Sequence, residues 1–280
     1  MGRAGSRAAA YPGGVLLLPR SVLLALWGTA VLDGRTDADR AVAVVTGQDE
    51  PHTVRGEDQP VSASPRGPGL HDLLDHLQGR AAVLRALLPA PGDALGLPAV
   101  PIAVEAAVDA GEAVVVQPVP GVGSGWTYVP EVEPFGSEQE QGFQVAWHGW
   151  RHPDGARLPA AGFADLPEAE RALRTVLLQA TDALAHLDVA RWRDDVTDRI
   201  AGLRDGGVDH RLLPPGTAPR AVRVLGTAAR VRGIVELASL DDGGSVSGWE
   251  AGRRADVLRE IDTTARRALA AATSAEVGPR

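Results

Sequence analysis

Residues 126–151, WTYVPEVEPFGSEQEQGFQVAWHGWR, decide the fold class. Two runs of alternating character, Val129–Phe135 and Phe143–Trp150, flank an acidic polar loop, Gly136–Gly142. Alternation with period two belongs to strands, whose successive side chains point to opposite faces. The stretch therefore predicts an antiparallel hairpin. Phe143, Val145 and Trp147 share one face of its second strand; Gln144, His148 and Trp150 share the other.

The hairpin lies in a strongly acidic segment. Between Arg85 and Arg151 stand Asp93, Glu105, Asp109, Glu112, Glu131, Glu133, Glu138 and Glu140, with no arginine among them. These carboxylates alone equal the formal net charge of the chain, -8. Trp126, Tyr128, Trp147 and Trp150 fall in the same segment. Flat apolar rings beside Glu131 and Glu133 suit a cation, held by ring quadrupole and carboxylate together, or a sugar. Two structural alternatives stand beside that. The tryptophans could be core, with the carboxylates solvating the outer sheet face, or the acidic sheet could dock on arginine-bearing helices of the same chain.

Upstream of the hairpin the sequence alternates strands and helices. Val15–Leu18 reads as a short buried strand. Ser21 is placed to cap a helix over Val22–Leu32 that ends at Asp33-Gly34, and Thr36 with Asp39 suits a second helix ending at Gly47. Residues 48–68, polar and Pro-rich, read as a long flexible loop. A helix follows at Leu70–Leu77 and a strand at Ala82–Leu88. A helix near Ile102–Ala110 and a strand at Ala113–Gln117 would then complete a parallel βαβ unit. Asp93 would lie just past the carboxyl end of its first strand, where open α/β sheets place ligands.

Downstream of Asp165 the periodicity is helical throughout. Asp165 with Glu168 forms a capping pattern, and Leu166, Ala169, Leu173 and Val176 keep helical spacing. Val189, Trp192, Val196, Ile200 and Leu203 continue with a shifted phase. Pro219 suits the first turn of a helix running to Leu240. Ser247 with Glu250 opens a last helix whose apolar face is Trp249, Leu258, Ile261, Ala265, Leu269 and Ala272. The expected fold is α+β: an N-terminal mixed α/β region with a small sheet (1–164) and a C-terminal antiparallel helical bundle (165–280).

Composition excludes several chemistries. With no cysteine, the chain has no disulfide, no thiolate and no Cys-ligated metal. All 28 cations are arginine, which fits GC-rich codon use and carries no functional weight. Pro19 and Arg20 split the early apolar stretch into pieces too short to span a membrane, so the expected location is the cytoplasm. His71 and Asp75 have i,i+4 spacing but lack the His-Glu-x-x-His arrangement, and His148 with His152 does not match a strand period; no metal site and no cofactor are expected. Gly121–Gly125 has no lysine and is no phosphate loop. A helix-turn-helix outline over residues 22–45 carries acids where phosphates would sit, so nucleic-acid binding is disfavoured.

What remains is a non-enzymatic binding or regulatory protein that offers Trp126, Tyr128, Glu131, Glu133, Trp147, His148 and Trp150 to a basic protein surface, a cation or a sugar. The rival is a hydrolase-like enzyme with a small-molecule pocket between Asp93 and the hairpin; a nucleic-acid-binding regulator ranks third. Convergence of buried Asp93, Glu133 and His148 would favour the enzyme.

Overall fold

The computed structural model describes residues 18–56, 67–137, 140–153, 156, 165–186, 208–240 and 248–274. The chain runs α1 (Arg20–Leu32), α2 (Ala38–Thr46), β1 (Thr53–Gly56), α3 (Leu70–Leu77), β2 (Ala81–Leu87), α4 (Pro101–Ala110), β3 (Ala113–Pro118), β4 (Trp126–Gly136) and β5 (Gln141–Arg151). It continues as α5 (Leu166–His186), a 3-10 turn (His210–Leu212), α6 (Pro219–Leu240) and α7 (Gly248–Ser274). The fold is mixed α+β.

One five-stranded sheet, ordered β1-β5-β4-β3-β2, organises the molecule. Every neighbouring pair is antiparallel except β1 with β5. The hairpin is antiparallel as expected, with Val132 opposite Val145 and Glu133 opposite Gln144.

Helix α1 is the centre of the core. Its sequence is apolar all round, as a fully buried helix must be, and every residue from Ser21 to Val31 is buried. Gly28 lets it approach β2 closely: a Cβ there would stand 2.7 Å from a Leu84 methyl. Its first turn borrows a partner from far along the chain, because the Ser21 N–H donates to Glu112 Oε2 at 2.8 Å. A buried carboxylate at a helix N-terminus meets both an orphan donor and the positive end of the dipole. Ser21 thus lies inside the helix, and Pro19 precedes it as the flanking residue. In α2 the capping side chain is Asp37, which accepts from the Arg40 N–H, in place of Thr36.

Both edges of the sheet are covered. On β1, the Val54 N–H donates to the Pro68 carbonyl. On β2, the Leu84 N–H donates to Thr29 Oγ1, and the Ala86 N–H donates to Thr273 Oγ1 of α7. Edge strands left open invite pairing with other chains; here two threonine hydroxyls close one.

Two expectations fail. β2 and β3 are antiparallel, with Leu87 opposite Ala113, so the chain leaves and re-enters at the same end of the sheet. A parallel unit needs a crossover that travels back along β2, roughly 23 Å for seven residues. The ten-residue α4, about 15 Å long, packs against β4 instead. Asp93 therefore follows no parallel strand, and the positional argument for a ligand there is lost. Within 48–68, residues 53–56 form β1 rather than loop, because β5 supplies a partner for them about 90 residues on. Residues 15–17 and 189–203 and the side chain of Trp249 lie outside the described residues.

The C-terminal helices pack on one another and on the sheet. Leu258, Ile261, Ala265, Leu269 and Ala272 are all buried, as their spacing predicts. Arg266 joins the two parts. It is 3% exposed, donates to the Leu88 carbonyl at 2.7 Å and to Asp262 at 2.8 Å, and also reaches Thr263. Among the described residues no helix is long and apolar enough to cross a membrane.

Candidate functional site

Strand register sorts the expected site residues into two groups. Trp126, Tyr128 and Trp147 point to the face that carries Leu84, Val114 and Val116, against which α1 packs. Glu131, Glu133, His148 and Trp150 point to the opposite face, opposite Ala146, Gln144, Val129 and Thr127 respectively. Asp93 belongs to neither group. Its Oδ2 lies 3.4 Å from Arg267 and 3.6 Å from Arg266, so it reads as an anchor for α7. Asp93, Glu133 and His148 take no common partner.

The α1 face is closed. Trp126, Tyr128 and Trp147 are 6%, 3% and 0% exposed. Tyr128 lies across Gly149, where a Cβ would meet its ring at 2.5 Å; only glycine leaves room for the tyrosine. The His76 ring meets Trp126 edge-on, centroids 6.0 Å apart.

Trp147 ends a chain of polar groups that local sequence did not announce. Its indole N–H donates to His52 Nδ1 at 3.1 Å. Since Nδ1 accepts, the proton sits on Nε2, which donates to Asp49 Oδ2 at 3.2 Å. Asp49 then takes a bidentate pair from Arg20, at 2.6 and 2.8 Å, and the Arg20 guanidinium lies 5.6 Å above the Phe143 ring. Burial works against ionisation of Asp49, but hydrogen bonds from His52 and Arg20 outweigh it and hold the carboxyl below its usual value. A His–Asp pair is common in catalysis. Here both imidazole nitrogens are engaged and the ring is fully buried, so no nitrogen is left to take a substrate proton.

A second buried pair reads the same way. His152 Nε2 lies 2.9 Å from Thr127 Oγ1, the geometry of a base beside a hydroxyl nucleophile. Burial pushes the His152 pKa down to about 4, so the ring is neutral at physiological pH. Yet Thr127 is 1% and His152 5% exposed. Gly125 closes against the ring, since a Cβ there would be 2.7 Å from His152 Nδ1. This pair pins the start of β4 to the end of β5.

The opposite face is buried at Thr127, Val129 and Ala146 and opens from Glu131 toward the hairpin turn. His148 Nε2 bonds Glu131 Oε2 at 2.9 Å, their side chains 32% and 53% exposed. The imidazole stacks on Trp150, centroids 6.1 Å apart and planes 26° apart. Arg55 of β1 is the register partner of His148 and is exposed, as are Glu133 and Phe135. Phe135 folds over Gly142, where a Cβ would meet its ring at 2.5 Å. The result is a strip of ring, carboxylate and imidazole on rigid strands, half-buried at Trp150 and His148 and exposed at Glu131. It can hold a flat cation, and it contains no buried general base beside a free nucleophile. Among the described residues no three His, Asp or Glu side chains gather as a metal site.

These features define an α+β protein whose sheet is buried on both faces over β2 and β3 and offers polar and aromatic groups on one face of the outer hairpin. The chain belongs to the Rv1486c-like family: the family's N-terminal domain matches residues 21–161 and its C-terminal domain residues 167–270. It is 32% identical over 289 residues to the protein described as uncharacterised Rv1486c of Mycobacterium tuberculosis strain ATCC 25618 / H37Rv, covering 91% of this chain and 96% of the relative. The uncharacterised protein MT1533 of strain CDC 1551 / Oshkosh is similar to the same extent. No solved structure matches.

Proposed function

We propose that this chain is a non-enzymatic binding or regulatory protein that takes a basic partner on the open hairpin face. The observation that supports this is the strip Glu131–His148–Trp150, in which Glu131 is exposed and His148 and Trp150 are half-buried, flanked by the exposed Glu133 and Phe135. A guanidinium group can stack on an indole and bond a carboxylate at once, and both groups stand in place on adjacent strands. Among the described residues, the two histidine pairs that resemble catalytic machinery are buried and occupied, which favours the binding reading over the enzymatic one.

The test is calorimetric titration of the full chain with an arginine-rich peptide and with its glutamine-substituted counterpart, at fixed ionic strength. Binding of the arginine peptide alone is expected. The double variant Glu133→Gln, Trp150→Ala should weaken it at least ten-fold while circular dichroism stays unchanged. Equal binding of both peptides, or an unaffected double variant, would refute the proposal.

A further inference from the structure

Resting on the binding reading above, we propose that His148 is a built-in competitor for the partner's cation, so that protonation of His148 closes the open face and deprotonation opens it. The imidazole makes the same two interactions that a guanidinium would make there. It lies flat on Trp150 and donates to the Glu131 carboxylate. An incoming arginine must therefore displace it.

The strength of that competition depends on charge. Histidine is the side chain whose charge ordinarily changes between pH 5 and 8. As imidazolium, His148 holds Glu131 by a charged donor, roughly twice as strong a bond as a neutral ring makes. The charges facing it add in the same direction. From β4 comes Glu131, with Glu133 farther along the same face opposite Gln144, and from β1 comes Arg55; Trp150 and Gln144 of β5 are neutral, and Val129 opposite is apolar. With neutral His148 the strip carries a net charge of about -1; with imidazolium it carries none, and electrostatic attraction for a cation goes with it. The sign is fixed: partner binding is weaker with the imidazolium in place than with the neutral ring.

The experiment is titration of the full chain with a nona-arginine peptide at pH 5.5, 6.5 and 7.5, beside His148→Gln and Glu131→Gln. The expected result is affinity about five-fold tighter at pH 7.5 than at 5.5. In His148→Gln the pH dependence should vanish, with affinity at pH 5.5 equal to or above that of the parent. Glu131→Gln should be weak at every pH. His71 bonds Asp39 at the surface elsewhere, and His71→Gln should leave the pH dependence unchanged. Binding that is flat with pH, or that keeps its slope in His148→Gln, overturns the switch and leaves the binding surface standing. No binding at any pH overturns both.

Discussion

Trp147 and His148 are neighbours in β5, and the two faces of the sheet use them in opposite ways. On the closed face, Trp147 hands its N–H to His52, His52 to Asp49, and Asp49 is held by Arg20. On the open face, His148 bonds Glu131 and lies on Trp150 in contact with water. Each cluster contains a histidine, a carboxylate and a tryptophan. Burial and the number of occupied nitrogens separate them. Where both nitrogens are engaged and water is excluded, the histidine fixes structure; where one face of the ring meets solvent, it can be exchanged. Residue type alone therefore says little about role.

That contrast can be broken most sharply at His52. His52→Ala should cost about 4 kcal/mol in urea unfolding, because it strands the Trp147 N–H and one side of Asp49 in a buried setting. A loss under about 1 kcal/mol would mean the closed face is not closed. Next in size is pH. The folded pKa of His152 is lowered to about 4 against about 6.5 in an unfolded chain. Its contribution is complete above pH 6.5 and is lost as pH falls through 4, roughly 3 kcal/mol in all. Thermal unfolding from pH 7 to 4 should show this decline, and His152→Gln should flatten it. Asp49, also lowered, adds its loss only at still lower pH. Third, Thr273→Val should cost about 1–2 kcal/mol by removing the acceptor of the Ala86 N–H. Smallest of all, His148→Ala should change stability by less than about 0.5 kcal/mol. A large loss there would show that the open face, too, is structural.

How far the sequence foretold this differs by feature. Hairpin strands, α3, α4, α6 and the face of α7 follow from periodicity, because each buries a stripe whose spacing is local. Direction and edge are not local. Thr53–Gly56 becomes a strand only through β5, and β2 runs antiparallel to β3 because α4 finds its packing on β4. The site was legible in part. Alternation separates Trp147 from His148 and Trp150 within β5, but assigning Trp126 and Tyr128 to the Trp147 face needs the register across strands. Asp49 and His52 are legible only as polar loop residues bound for solvent, and Arg20 carries no local signal: a loop histidine looks the same whether it ends in water or beneath a tryptophan. Arg266 likewise sits in a helix where any exposed arginine would fit the pattern.

One consequence of the threonine-closed edge concerns the order in which the chain is made. β2 is synthesised early, but Thr273, which accepts its Ala86 N–H, and Arg266, which caps the Leu88 carbonyl, come near the last residues described. Through most of synthesis the nascent edge is met only by Thr29 of α1 at Leu84, and α7 is the element that supplies the partners of Ala86 and Leu88. Polypeptides halted before α7 would present that edge to chaperones, proteases and one another. The order of the elements thus leaves half of this edge to α1, made before β2, and half to α7, made long after it.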